Sequence, residues 1–391
     1  MNSKERLLAA LNHQQVDHIP LLLRFWQLEE GVDNIPFEWR DQIRRVENTT
    51  ALGLDDTLLL EPPSGYVENY APEQNGIKST TTLLPPPAGE AFPLLVKIYH
   101  TPEGPLQTTI QKSEDWIHGD NIHLFDDFNI PRMKQPLIKT QEDIQRLRYL
   151  LCKPIAKQEA LFRQQAAHLR EEALRLGVLL DGGWIALGDA LMWLCGMERI
   201  LYAQMDEMDF LEALIEVVFE WEMLRIDYLL KENVDVVVQM AWYEGSDFWT
   251  PKKWRAMLKP RIKQMVEKTH QHGKKYRYII TKGWKPIRQD LVEIGVDCIT
   301  GLDPVQDRID LYEVKREIGS QVCLMGGVNS SVMFTQWDET HIRQALDEAI
   351  TALAPGGGFI LFPVDAVFNN QPWEKVQFFI DLWREKINII R

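Results

Sequence analysis

Val322-Cys323-Leu324-Met325-Gly326-Gly327-Val328-Asn329 is a short apolar run that ends in two glycines and an asparagine. Helical patterns near 309–318 and 339–353 flank it. Short apolar runs set between amphipathic helices indicate strands of a parallel sheet covered by helices. The same unit recurs on both sides. Upstream, 296–300 runs into Leu302-Asp303-Pro304, and Tyr278-Ile279-Ile280 follows a helix expected from Pro251 to about His272. Before these, 234–239 follows a helix at 207–231 and ends at Trp242-Tyr243-Glu244-Gly245, while Val178-Leu179-Leu180 follows a charged helix at 157–175 and ends at Asp181-Gly182-Gly183-Trp184. Downstream, Gly356-Gly357-Gly358 leads to a strand at 359–362 and a closing helix at 373–388. Near the start, Leu21-Leu22-Leu23 stops at Arg24-Phe25-Trp26, and Thr57-Leu58-Leu59-Leu60 stops at Glu61. Strands near 21, 58, 179, 236, 278, 298, 323 and 360 make eight, which favours a closed (β/α)8 TIM barrel over an open sheet. No early strand is followed by GxGxxG, so a dinucleotide site loses its main support.

Two segments lie outside the repeat. A helical extension opens the chain, with Ser3 as its expected N-cap and Leu7, Leu8 and Leu11 as its apolar stripe. Residues 62–150 are proline-rich, with alternating segments at 94–100 and 106–111 joined by Thr101-Pro102-Glu103-Gly104. That pattern reads as a β-hairpin within an insertion or lid, so 1–391 is one barrel domain carrying 62–150 as an insert.

Charge and cysteine usage narrow the function. Forty-three Lys and Arg against 57 Asp and Glu give a net charge of −14. Nucleic-acid binding needs the opposite field, so it is not expected. The four cysteines are scattered without a CxxC or CxH pair, which points to a reducing cytoplasm and against a disulfide framework or zinc ribbon. No apolar run approaches the ~18 residues of a membrane span.

Barrel active sites lie at the C-terminal ends of the strands. That rule selects Arg24, Glu61, Trp184, Tyr243, Glu244, Lys282, Asp303, Asn329 and Asp365. Each has a structural alternative. Arg24 could pair with a surface carboxylate, Glu61, Asp303 and Glu244 could cap turns or helices, Trp184 and Tyr243 could pack, and Lys282 could reach solvent. Neither HExxH nor a GxSxG elbow is present.

Several segments together carry a resemblance. Ser3-Lys4-Glu5-Arg6-Leu7-Leu8-Ala9-Ala10-Leu11 with Val16-Asp17-His18-Ile19-Pro20, then Asp290-Leu291-Val292-Glu293-Ile294-Gly295-Val296-Asp297, Gly326-Gly327-Val328-Asn329 and Gly356-Gly357-Gly358-Phe359-Ile360-Leu361, resemble the uroporphyrinogen decarboxylase superfamily. The resemblance implies a (β/α)8 barrel and two branches of chemistry. Decarboxylases of haem synthesis carry a PxWxMRQAGR segment. Here Pro20-Leu21-Leu22-Leu23-Arg24-Phe25-Trp26-Gln27 has one arginine, and the acid after the second strand is Glu61. Zinc methyltransferases carry HxCG and a later cysteine. Here those places read Ile280-Thr281-Lys282-Gly283 and Val364-Asp365-Ala366, so no metal ligand is assigned and zinc is not expected.

The resemblance therefore implies a methyltransferase-like enzyme acting on a small methylated substrate, with a corrinoid protein as partner and homodimerisation left open. On this reading Glu244, Tyr243 and Asp303 are catalytic, while Arg24, Glu61, Trp184, Lys282, Asn329 and Asp365 bind substrate. The alternatives are a decarboxylase anchored by Arg24 and a barrel that binds a small ligand without turning it over.

Overall fold

The computed structural model describes residues 1–65, 67–68, 76–125 and 130–389. Seven parallel strands form a curled sheet in the order Phe359–Val364, Cys323–Asn329, Cys298–Leu302, Lys275–Ile279, Val236–Met240, Leu179–Ala186 and Thr57–Leu60. The ring closes through residues 20–22. Leu21 bridges Leu361 and Leu22 bridges Asp55, both in parallel. The amide of Leu361 donates to the Pro20 carbonyl at 2.9 Å, and that of Asp55 to the Leu21 carbonyl at 2.9 Å. The eighth strand is thus a short splice rather than a full ladder, and the fold is the expected (β/α)8 barrel.

Side chains alternate across each strand. The inward set packs as one cluster that includes Leu22, Leu179, Val236, Val238, Ile279, Cys298, Cys323, Met325, Ile360 and Phe362. Leu7, Ala10 and Leu11 of the helix Ser3–Leu11 join that cluster. Lys4 of this helix pairs with Asp235 at 2.7 Å, just before a strand begins. The helix therefore plugs the end of the barrel at which the strands start, and the opposite end is left as the mouth. Its N-cap is Asn2, with a capping box to Glu5, instead of Ser3.

The insertion contains the antiparallel strands Gly76–Leu84, Leu94–Thr101, Gly104–Gln111 and Met133–Gln135. Thr101 pairs with Gly104, so Pro102-Glu103 is a two-residue hairpin loop. The indole of Trp193 donates to the His123 carbonyl at 3.1 Å, which ties this region to the helix Gly188–Cys195.

Three local expectations change. The helix expected over 251–272 is two, Pro251–Met257 and Lys259–Gln271, because Pro260 has no N–H to continue the ladder. The strand after 178 runs on to Ala186, so Trp184 sits within it. Helices Gly188–Cys195 and Met197–Asp206 fill a stretch that the apolar pattern left unassigned. Among the described residues, no helix is long and apolar enough to cross a membrane.

Candidate active site at the barrel mouth

A short parallel ribbon, Phe25–Trp26 against Val367–Phe368, continues the barrel wall beyond its closing splice. It holds the two chain ends in register, with the Val367 amide donating to the Arg24 carbonyl at 2.7 Å. Arg24 and Asp365 consequently meet, Nη1 to Oδ1 at 3.2 Å, despite lying at opposite ends of the sequence. The Arg24 guanidinium carbon lies 5.0 Å from the ring centre of Trp26, 5.2 Å from that of Trp184 and 5.7 Å from that of Trp242. All three distances fall within cation–π range.

Arg24, Trp26, Trp184 and Asp365 form the rim of a cavity of about 280 Å3 that descends into the barrel, while Trp242 backs Arg24 from outside its lining. Glu61, Trp184 and Asp365 line it with Arg24. Deeper, inward positions supply Thr57, Asp181, Arg277 and Thr300. Asp181 Oδ2 accepts from Thr57 Oγ1 at 2.9 Å and from Arg277 Nη2 at 2.7 Å. Burial pushes the Asp181 carboxyl up, against the opposing pull of Arg277 and Thr57. Arg45 and Asp56 form a second pair on the wall at 3.0 Å. Lining arginines (Arg24, Arg45, Arg277) are outnumbered by carboxylates (Asp56, Glu61, Asp181, Asp365).

The structure thus brings four of the nine sequence-selected residues, Arg24, Glu61, Trp184 and Asp365, to one cavity. The other five lie elsewhere. Glu244 is fully buried behind the strands, where its carboxylate accepts from Gly188 N at 2.7 Å, Gln239 Nε2 at 2.9 Å and the Tyr278 hydroxyl. Loss of water raises its pKa to about 7, although those hydrogen bonds act in the other direction. The expectation that Glu244 meets substrate is corrected: Tyr278 faces the helical layer, and Glu244 packs with it there. Tyr243 packs against Phe248, and its amide donates to Asp189 Oδ1 at 2.8 Å, outside the main cavity. Asp303 accepts from the amides of Val305 at 2.8 Å and Gln306 at 3.0 Å and from Asn329 Nδ2 at 2.6 Å. Asn329 Oδ1 in turn caps Val332 N at 2.8 Å. Both are turn-capping groups, the structural alternative for Asp303. Lys282 is half-exposed and pairs with Asp247 at 3.0 Å, so its ammonium does not enter the cavity.

Asp181, Arg277, Trp26 and Trp242 were not selected by the strand-end rule. Two signals in the sequence point to Arg277 and the tryptophans, and Asp181 follows only from its pairing with Arg277. In Lys275-Tyr276-Arg277-Tyr278-Ile279 the charges alternate with tyrosines, the signature of a strand with one polar face. The density of tryptophan at 26, 184 and 242, each beside a strand end, is the other.

Among the described residues neither imidazole nor thiol lines the cavity. Among the described residues no group of three or more His, Cys, Asp or Glu is placed to hold a metal ion. At the mouth Asp365 is already paired with the Arg24 guanidinium, and a metal ion needs several such oxygens bound directly at short range. The residues present do not fit a thiol-activating zinc.

A (β/α)8 barrel with a largely apolar cavity at the strand C-termini, set with a few charged pairs, defines the class of protein. Residues 122–386 match the family model described as uroporphyrinogen decarboxylase (URO-D), and the chain belongs to that family. Among solved structures it is similar to a methyltransferase from Methanosarcina mazei, with a TM-score of 0.58 and 17% identity over 99% of each chain. A B12-independent methionine synthase from a Shewanella species matches with a TM-score of 0.43 and 10% identity, over 59% of this chain and 66% of that one. The first likeness shows a shared fold across the whole length. No curated protein matches the sequence.

Proposed function

We propose that the chain is a methyltransferase-like enzyme of the URO-D family that acts on a small methylated substrate bound at the barrel mouth. The observation that carries this reading is the cavity itself. At about 280 Å3 it lies just below the ~300–1,000 Å3 typical of small-molecule pockets. Each of its arginines already has a carboxylate partner, Asp365, Asp56 or Asp181. A tetrapyrrole bearing many carboxylates needs more room and an excess of cations. The size and charge balance weigh against the family's eponymous substrate and favour a compact one.

In this proposal Glu61, Trp184 and Asp365 hold the substrate, Arg24 stands beside them at the rim, and the indoles exclude water from the substrate. The methyl acceptor is a corrinoid carried by a partner protein, which supplies the methyl-accepting cobalt when bound. The cavity is too small to enclose a corrinoid, so the partner has to present it at the open mouth. Tyr243, Glu244, Asp303 and Asn329 act at one remove by fixing the loops that shape the wall. The resemblance in sequence and the likeness in fold support this assignment.

The test is methyl transfer to reduced cobalamin, followed by its visible spectrum, across a panel of small methylated amines, ethers and thiols. The proposal expects turnover with at least one donor. Carbon dioxide release from small carboxylates without methyl transfer would instead identify a decarboxylase. Ligand binding with neither reaction would identify a binding barrel.

A further inference from the structure

Three indoles surround one cation at the mouth. The Arg24 guanidinium sits 5.0, 5.2 and 5.7 Å from the ring centres of Trp26, Trp184 and Trp242. Trp184 and Trp242 are 6.3 Å apart and tilted by 44°, so their faces form two walls of a corner instead of a stack. Their quadrupoles present negative faces to whatever occupies that corner. Asp365 closes it from the cavity side, 3.2 Å from Arg24, and Glu61 lies on the same lining. Such a cage binds a cation of low charge density and disfavours an anion, which would meet the negative ring faces in a cavity whose carboxylates outnumber its arginines.

A guanidinium is a weakly hydrated, delocalised cation. In shape and hydration it resembles a methylated ammonium more closely than it does a metal ion or a primary amine. The resident arginine therefore marks the preference of the cage. It is also tethered to a strand end, which lets it leave the indoles and remain beside Asp365.

We propose that the tryptophan cage of Trp26, Trp184 and Trp242 is the binding site for a small methylated ammonium substrate, whose cationic head takes the place that the Arg24 guanidinium occupies among the indoles. This deepens the methyl-transfer reading by naming the substrate class, and it rests on that reading only for the fate of the methyl group. Arg24 is then a built-in competitor, not an anchor. The two roles predict opposite signs for its removal.

Calorimetric titration with choline, with the neutral alcohol in which carbon replaces the choline nitrogen, and with acetate separates them. Choline should bind about tenfold more tightly than its neutral counterpart, the size expected for a desolvated cation–π site. Arg24→Ala should bind choline more tightly than the unaltered protein, and Trp184→Leu should lose about tenfold. Arg24→Gln and Trp184→Phe, with circular dichroism to confirm folding, guard against a variant that fails to fold. Binding of choline by the Arg24 variants alone would still support the proposal, with the resident guanidinium as the stronger competitor. Equal binding of the neutral alcohol, acetate binding in place of choline, weaker choline binding in folded Arg24 variants, or no choline binding to any of these proteins would overturn it. Methyl transfer from an uncharged donor without choline binding would overturn this proposal alone. Choline binding without any methyl transfer would overturn only the enzymatic reading.

Discussion

Glu244 sits among Gly188, Gln239 and Tyr278 with no exposed surface, and burial moves its carboxyl from the usual 4.5 to about 7. Glu222, equally buried beside Arg225, is raised to about 7 for the same reason. Between pH 4.5 and 7 the folded protein therefore holds protons on these groups that the unfolded chain has released. Their contribution to stability is fully present below that window and is lost as pH rises through it. For Glu244 the whole change is worth on the order of 3 kcal/mol. Urea unfolding of Glu244→Gln across this range should show a shallower decline than the unaltered protein, with the remaining slope due to Glu222. Parallel pH profiles would show that Glu244 titrates normally. Asn329 offers a second test at this scale. Its side chain both holds Asp303 and caps Val332, so Asn329→Ala should cost about 1–2 kcal/mol in the same assay. An unchanged midpoint would remove it from the capping network.

The strand Cys323–Asn329 shows what an element demands of its residues. Gly326 has φ +147°, and a Cβ there would lie 2.6 Å from the amide nitrogen of Leu302 on the neighbouring strand. Register shifts at this place, between Thr300 and Leu302. Gly326→Ala should therefore destabilise the barrel by about 1–3 kcal/mol in denaturant unfolding, and a loss below a few tenths would mean the strands can part there freely. At this scale the sequence was highly legible. The hairpin appears at Leu94–Thr101 and Gly104–Gln111 because alternation and a Pro-Glu-Gly turn speak with one voice. The helix Glu339–Leu353 has the expected bounds because its apolar stripe is strong. Gly188–Cys195 escaped notice because every residue in it is buried, so it has no polar face to create a period. The eighth strand was legible as an apolar run, but not as a splice of two bridges, since pairing length depends on neighbours far along the chain.

Across the whole molecule, the inner face of the barrel carries the Asp181–Arg277 pair at 2.7 Å, spanning two strands that are separated by a third. Asp181 is almost wholly buried, so Arg277→Met should cost about 3–5 kcal/mol by leaving a carboxylate uncompensated. The double variant with Asp181→Leu should recover most of that loss; equal losses in both would mean that the pair itself supplies the stability. The site was only half legible, and the reason is geometric. Strand ends locate a mouth, yet period-two alternation decides which residues enter it. Arg24, Glu61, Trp184 and Asp365 fall on the cavity side, whereas Glu244 and Lys282, chosen by the same rule, fall behind or outside it. The pairing of Arg24 with Asp365 arises only when the ribbon joins the two chain ends. The central claim is that this tryptophan-walled cavity is where a small methylated substrate is turned over. Its most direct test is the rate of methyl transfer to reduced cobalamin by the unaltered protein and by folded Trp184→Leu. The account predicts measurable transfer that falls at least about tenfold in the variant. Transfer that is equally fast in both proteins, or absent from the unaltered protein with every donor in the panel, would contradict it.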